Sequence, residues 1–445
     1  MAKLFIAADA AKELVNNMSA IGSSDDAVIE LLLGVKESEG KVMNSATCVN
    51  KTQQVASIFI TEKPDDYTEG KPYMALLVKA KEFNNIVNSL VSFDSKIYIE
   101  STEAGTFIGI DGTAKLPIGR LGADKAPVKI PMKKDELLLQ VKATVPEFTD
   151  AVKIGGSMVD PSMDKAAGLG DTVISVSFNE GEGAGIPGIL KVYSVNQSAM
   201  SRGVCKCIVN NDAAVMARFK ENCPTGDFKV AIPKKSMVDM MRLLNGSKDV
   251  MVAVSATNVF VAIGKHTSYS FAVGNKLSSI FGKIDSWDEV DKPISVVVDA
   301  ETFKQRLDLL NKVNDLNGKK NPLKISATPQ GELIITNGLE GGQVTLKAVA
   351  QKFTEPFSIC LNGKMLSEVV GNLKKGNLRL NPVLLKPEAG VSLNPICISN
   401  GDVDAKATNS GIAFLLPVKD TVSVEKKEED GTEAGTDSSD DVSEE

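Results

Sequence analysis

One pattern of apolar residues occurs three times in this chain and constrains its fold more than any other feature. Counted from Lys81, Lys235 and Lys364, the residues at offsets two, five, six and nine are large and apolar in every copy. These residues are Phe83, Ile86, Val87 and Leu90; Met237, Met240, Met241 and Leu244; and Leu366, Val369, Val370 and Leu373. This spacing marks one face of an amphipathic helix. Apolar runs before and after each copy predict flanking strands, so the repetition predicts one domain used three times.

The length of 445 residues suits about three domains. In each, the order strand, helix, strands, strand, helix, strands indicates a β-α-β-β-β motif used twice, with two helices and about eight strands. Pro146 suits the first turn of a helix, and Phe303, Leu307 and Leu310 form the stripe of another. We predict an α+β fold with helices on one face of antiparallel sheets. The expected bounds are 1–126, 127–287 and 288–420, followed by a tail at 421–445.

The tail changes how the net charge is interpreted. Residues 421–445 contain ten acidic and two basic residues, a charge of −8, whereas the whole chain carries −7. The body is therefore close to +1. The tail has no apolar periodicity, which predicts disorder. It would serve either solubility or an interaction.

Composition points to a soluble intracellular protein. Hydrophobic residues make up 43% of the chain and charged residues 24%, and no apolar run reaches the length of a membrane span. Cys205 and Cys207 lie one residue apart on an alternating strand, so both should point to one sheet face. A zinc site normally needs two-residue gaps and a second pair, so buried reduced thiols are the favoured interpretation.

Enzymatic motifs are weak. GAGIPG at 183–188 fits the dinucleotide pattern, but strand-like runs flank it and no helix follows, which predicts a hairpin loop. The chain has no P-loop, and its single histidine, His266, has no nucleophile signature nearby. We expect no catalytic residues, no metal and no cofactor.

The repeated motif, the segment PKKSMVDMMRLLNGSKDVMVAV and the ending AFLLPVK together resemble the bacterial DNA polymerase III beta subunit, the sliding-clamp family. The resemblance covers residues 1–420 in layout and is most specific in 228–275 and 294–419. It implies a head-to-tail homodimeric ring, lined by twelve helices, that encircles double-stranded DNA without sequence specificity and tethers the polymerase. It also implies binding to a clamp loader and a cytoplasmic, nucleoid-associated location, with no membrane partner.

The polar faces of the helices are the expected DNA-binding surface. Offsets zero, four, seven and eleven lie opposite each apolar stripe, which places Asp239 among the outward residues. Scattered basic residues there would attract phosphates without fixing one register; an ordinary solvated face is the alternative. The candidates are Lys81, Lys235, Arg242, Lys304, Arg306, Lys312, Lys364 and Lys375.

The resemblance also implies a peptide cleft between the second and third domains. The segment VYSVNQSAMS matches one wall of this cleft, and LSSIFGK matches a second. The C-terminal strand matches the last wall. The residues carried over are Val195, Gln197, Ser198, Ala199, Met200, Leu277, Ser278, Phe414, Leu415, Leu416, Pro417, Val418 and Lys419. The neutral NQSAM turn and the missing proline near Leu277 depart from the family pattern. An ordinary core between domains is the alternative.

Ring closure in the family joins an edge strand of the first domain to the third. The candidate contacts are Leu116 and Ile118 on one side and Leu310 and Val313 on the other. Leu310 also belongs to an internal stripe, so a core role is equally open. The alternative function is a protein-binding scaffold of the same fold that does not encircle DNA.

Overall fold

A computed structural model describes most of the chain. It covers residues 2–158, 170–179, 183, 185–196, 198–224, 226–244, 249–274, 277, 280–290, 292–316, 322–337, 342–352, 357–373, 376–383, 394–400 and 411–418. The calls on Gln197, Ser278, Lys375, Lys419 and the acidic tail fall outside these residues.

The first repeat contains two β-α-β-β-β motifs, as predicted. Its elements are β1 (Ala2–Ile6), α1 (Ala8–Gly22), β2 (Val28–Ser38), β3 (Lys41–Val49), β4 (Gln53–Glu62), β5 (Met74–Lys79), α2 (Ala80–Val91), β6 (Ile97–Thr102), β7 (Gly105–Ile110) and β8 (Ala114–Ile118). The stripe predicted on α2 lies in the core, where Phe83 and Leu90 are almost fully buried.

The second repeat has the same plan with two additional helices. Its elements are β9 (Leu137–Thr144), α3 (Val145–Gly155), β10 (Asp171–Phe178), β11 (Gly185–Val195), β12 (Ala199–Asn210), α4 (Ala213–Asn222), β13 (Phe228–Pro233), α5 (Lys234–Leu243), β14 (Asp249–Ser255), β15 (Asn258–Ile263), β16 (Thr267–Ala272) and α6 (Phe281–Glu289). Pro146 lies in the first turn of α3, as predicted. The hairpin loop predicted at 183–188 is wrong for residues 185–188. They belong to β11, which pairs with β10 and β12.

The third repeat follows the plan with one additional short strand. Its elements are β17 (Ser295–Asp299), α7 (Ala300–Leu316), β18 (Leu323–Ala327), β19 (Glu332–Thr336), β20 (Gln343–Lys347), β21 (Ala350–Lys352), β22 (Phe357–Leu361), α8 (Gly363–Leu373), β23 (Asn377–Pro382), β24 (Ile396–Asn400) and β25 (Gly411–Leu415).

Antiparallel strand pairing connects the repeats at two places, which we call junctions. At the first junction β4 pairs with β16, with Ser57 opposite Thr267. At the second junction β12 pairs with β25, with Ser201 opposite Ala413. Two four-stranded sheets are separate from this paired set of strands. One, β1-β6-β7-β8, belongs to the first repeat, and the other, β20-β19-β18-β22, belongs to the third.

Six helices form one layer on these sheets. Neighbouring helices contact each other in the order α2, α1, α5, α3, α8, α7, so the row passes through all three repeats. We call this row the helix layer and the sheet face beneath it the inner face. Apolar residues of helices and strands fill the space between them in two large cores.

The other two helices differ from this layer. The α4 residue Val215 packs on Ala253 and Phe260, which alternate along their strands with inner-face residues such as Val252 and Val261. It therefore reaches the outer sheet face. The sequence interpretation missed α4, although Asp212 at its N-cap, whose carboxylate accepts hydrogen bonds from Ala214 N and Val215 N, is a start signal.

Candidate functional site

The exposed side of the helix layer carries the candidate DNA-binding residues. Lys235, Arg306 and Lys312 are exposed and form no ion pair within the described part of the chain. They lie on α5 and α7. Among the described candidates, these three cations are the ones most available to a phosphate.

The remaining described candidates are paired with carboxylates of the same chain. Their Nζ or Nη atoms lie 2.6 to 3.5 Å from the acidic oxygens. The pairs are Lys81–Asp25, Arg242–Asp239, Lys304–Asp308 and Lys364–Asp315. In Lys81–Asp25 and Lys364–Asp315 both side chains are more than half exposed. Such exposed pairs contribute little stability, so a phosphate can compete with the carboxylate there. The layer is thus an alternation of charges rather than a basic stripe.

Asp239 corrects the helical-face prediction. It was expected to point outward, but it is only 3% exposed. The Gln53 side-chain amide donates to its Oδ2 at 2.9 Å and to the Tyr269 hydroxyl at 2.7 Å. The helix packs sideways against the first junction, which a pattern confined to α5 cannot reveal.

The cleft candidates are divided between the two faces of the second junction. Ala199 and Leu415 belong to the inner core. Val195, Met200 and Phe414 point to the outer face, where α6 covers them. All five are at most 5% exposed.

The other described cleft candidates are more exposed than these five. Leu277 is 43% exposed, whereas Leu416, Pro417 and Val418 are partly exposed. Leu416 N donates to the Ser198 carbonyl at 2.8 Å. The accessible apolar surface is therefore much smaller than the residue set implied.

The proposed ring contacts also differ in accessibility. Leu116 on β8 is 37% exposed, and Val313 on α7 is partly exposed. Ile118 and Leu310 are buried within this chain, so neither offers surface to a second copy in this conformation. Leu309, the neighbour of Leu310 on α7, lies off the predicted stripe and is 47% exposed.

Nothing in the described residues assembles a metal centre: no group of three or more His, Cys, Asp or Glu side chains is arranged to hold an ion. The six cysteines are free. Cys205 and Cys207 share the inner core, as predicted, and burial raises the pKa of Cys207 to about 12. That thiol is therefore protonated and unreactive at neutral pH. None of the described helices is long and apolar enough to span a membrane.

Three repeats of a doubled β-α-β-β-β motif, with helices on one face of antiparallel sheets, define the sliding-clamp fold. Among solved structures, the chain is similar to the DNA polymerase III subunit beta from Pseudomonas aeruginosa, with 13% identity and a TM-score of 0.68 over 94% of this chain and 100% of that one. It is similar to the DNA polymerase sliding clamp from Bacillus subtilis, with 17% identity and a TM-score of 0.68 over 94% and 99%.

The same fold is found in the Helicobacter pylori beta clamp bound to a DNA ligase peptide, with 14% identity and a TM-score of 0.67 over 94% and 99%. No family model matches this sequence, and no curated protein matches it. The α+β fold predicted from the three repeats is confirmed.

Proposed function

We propose that this protein is a DNA sliding clamp, a non-enzymatic ring that encircles duplex DNA and tethers a replicative polymerase. The observation that carries the proposal is the helix layer. One continuous row of six helices lies on one face of the sheets and ends at a four-stranded sheet on either side. The expected domains are those at 1–126, 127–287 and 288–420.

The strand pairing supports ring closure by a second copy. At each junction, the last strand of a repeat's first motif pairs with the last strand of the next repeat's second motif. The strands left in these positions are β20 and β8, which pair only with β19 and β7 within the described residues. Edge strands of this kind are templates for pairing with another chain. Joining β20 to β8 of a second copy, twice, closes a twofold ring with twelve helices.

The contacts at that closure follow from the exposed residues. Leu116 and Val313 remain our candidates, and Leu309 replaces the buried Leu310. Exposed apolar residues beside a free strand edge are the usual anchors of an interface.

DNA would pass through the ring along the helix layer. Lys235, Arg306 and Lys312 would contact phosphates directly, and the paired lysines would exchange partners as the duplex moves. Phosphate contacts carry no sequence information, so such a surface permits sliding. A clamp loader and a polymerase would bind through peptides, as the Helicobacter pylori clamp binds a DNA ligase peptide. With these partners, the protein would act in the cytoplasm together with the nucleoid.

A second candidate is a protein-binding scaffold of the same fold that does not encircle DNA. It is favoured by the acidic partners of four candidate cations, because these carboxylates weaken the attraction of the helix layer for phosphates.

Electron microscopy of the purified protein, with mass measured by light scattering, is the first test. We expect rings at twice the chain mass with a hole wide enough for duplex. A monomer without a hole at high concentration would reject the encircling function. Retention on circular DNA, lost when the circle is linearised, would then separate clamp from scaffold.

Charge reversal tests the DNA surface itself. Changing Lys235, Arg306 and Lys312 together to Glu should shorten retention on circular DNA and reduce its salt dependence. The matched control is Lys206→Glu, which reverses an exposed charge on β12, outside the helix layer. Equal losses from both variants would place the DNA elsewhere.

A further inference from the structure

The outer face of the second junction holds an apolar surface with a short helix lying on it. Alternate residues of β11, β12 and β25 point there, among them Tyr193, Met200 and Phe414. The residues between them face the helix layer, because Ser201 donates to the Gly155 carbonyl of α3 and Ala413 lies in the inner core. We call this outer apolar surface the seat and α6 its cover.

The cover contacts the seat through one side only. Phe281 and Ile284 of the cover are buried against the seat. The Trp287 ring packs edge-on against the Phe414 ring, with the two ring centroids 5.7 Å apart. Gly282, Lys283, Ser286 and Glu289 on the other side are exposed.

Charged contacts hold the cover beside this apolar patch. Arg202 of β12, which is 6% exposed, donates to Asp285 and, at 2.6 Å, to Asp288. The Tyr193 hydroxyl donates to Asp285 at 2.8 Å, and Lys191 lies 3.5 Å from the same carboxylate. The seat therefore combines an aromatic surface with donors that bind two carboxylates.

The cover depends on this docking for its helical shape. It has nine residues, a glycine at its second position and no side-chain N-cap bond. Helices of this length are marginal in water without tertiary contacts. Its helical conformation is therefore coupled to its contacts with the seat.

The seat lies where the proposed function expects the cleft for partner peptides, and three expected wall residues, Val195, Met200 and Phe414, belong to it. We propose that the protein's own α6 is a built-in competitor that occupies this cleft. Its partner would be a helical peptide that copies the chemistry of α6: apolar residues at the places of Phe281 and Ile284, an aromatic at Trp287, and carboxylates at Asp285 and Asp288. The inference rests on the proposed function and deepens it, because it adds regulation of the expected cleft by the cover.

Tethering sets the strength of this competition. A segment joined by short linkers has an effective concentration of about 1 mM. A partner peptide must therefore bind the seat tightly, or meet a chain whose cover is weakened. Removing Trp287 should raise the apparent affinity for an added peptide at least tenfold, because it increases the fraction of open seats.

A synthetic peptide with the sequence of residues 277–292 is the probe. Trp287 is the only tryptophan of the chain, so in a mixture with the Trp287→Ala protein all tryptophan fluorescence comes from the peptide. We expect the emission to shift to shorter wavelength on binding. Measured with a fluorescein label, the same peptide should bind the wild type at least tenfold more weakly.

Two controls define the specificity. A peptide carrying Asp285→Asn and Asp288→Asn should lose at least tenfold in affinity, since it no longer offers carboxylates to Arg202. A Ser286→Ala protein, changed on the exposed side of the cover, should behave as the wild type. Absence of peptide binding to a folded Trp287→Ala protein would overturn the proposal.

Hydrogen exchange covers the case in which Trp287→Ala fails to fold. In the wild type, α6 amides should exchange faster than those of β12 and β25 under native conditions. Exchange of α6 only together with β12 would show a fixed element and also overturn the proposal. Neither assay needs DNA or a ring, so their failure can be told apart from failure of the clamp function.

Discussion

The two junctions use the same strand pairing but different side chains to hold it. At the first junction, polar residues meet beneath the strands: Asn17 donates to Ser57 and Thr267, and Gln53 donates to Asp239. At the second junction, apolar clusters lie on both faces, with Ser201 among the inner residues and Arg202 among the outer ones. Repetition of a backbone plan therefore does not fix how the repeats are joined.

The outer faces of the two junctions are also covered by different elements. An extended segment crosses the first junction, where Lys129 pairs with Glu30 and Ile130 N donates to the Gln54 side chain at 2.7 Å. A helix crosses the second, fastened by Arg202. Ile58 and Ile60 stay exposed at the first junction, whereas Phe414 is covered at the second. Within the described residues, the second junction thus combines an outer apolar surface with a helix that covers it, whereas the first junction does not.

The largest loss in the free energy of unfolding is expected when the buried Arg202 at the second junction is replaced. Arg202→Met removes the buried guanidinium that donates to both Asp285 and Asp288. Breaking a buried ion pair by removing one partner typically costs about 3–5 kcal/mol. Urea unfolding would measure the loss. Lys206→Met on the same strand is the control, because Lys206 is exposed. A loss at Arg202 no larger than the control's would mean that the ionic cluster does not hold α6.

The next largest loss of stability is expected where the backbones of β12 and α3 approach closely. A Cβ on Gly203 would lie 2.0 Å from the Ala151 carbonyl oxygen of α3, so Gly203→Ala must push the helix from the sheet. We expect a destabilisation of about 1–3 kcal/mol by thermal unfolding. Gly282→Ala, with nothing within 4 Å of the added Cβ, should be neutral or stabilising. A neutral Gly203→Ala would show that α3 can shift freely.

The sequence predicted the helix layer because the pattern that buries each helix is local. It missed α6, whose few apolar residues surround Gly282 and whose shape depends on the seat. It also placed Asp239 in solvent, since the partner that buries it, Gln53, lies 186 residues away along the chain. Contacts between repeats are not encoded in the period of one helix. The burial of cleft and ring residues carried over from the resemblance could not be predicted for the same reason. Phe414 and Ile118, for example, are buried.

The junctions should respond to pH in opposite directions. Burial raises the pKa of Asp239 above its ordinary value of 3.8, although Gln53, Lys235 and Arg242 oppose this. The folded state therefore holds this proton more tightly, and stability is lost as pH rises through the raised pKa. Burial opposes ionisation of Asp285 too, but Lys191, Tyr193 and Arg202 outweigh it and lower its pKa. That contribution is present above pH 3.8 and is lost as pH falls through the lowered pKa.

Asp239→Asn tests this sign directly. It removes a buried charge, so the variant should gain on the order of 1 kcal/mol at pH 7 relative to the wild type, and the gain should vanish near pH 3. Urea unfolding at several pH values would measure it. A gain that grows toward acid pH, or a loss at neutral pH, would contradict the raised pKa.

The smallest effect is expected at the outer face of the first junction. Lys129 is about half exposed and its partner Glu30 one quarter, so water screens the pair and replaces its hydrogen bonds. Lys129→Met should change the free energy of unfolding by less than about 1 kcal/mol. A double variant with Glu30→Gln isolates the coupling between the two. A coupling as large as the Arg202 effect would mean that the extended segment fastens its junction as firmly as α6 does, and the contrast between the junctions would then lie in the apolar seat alone.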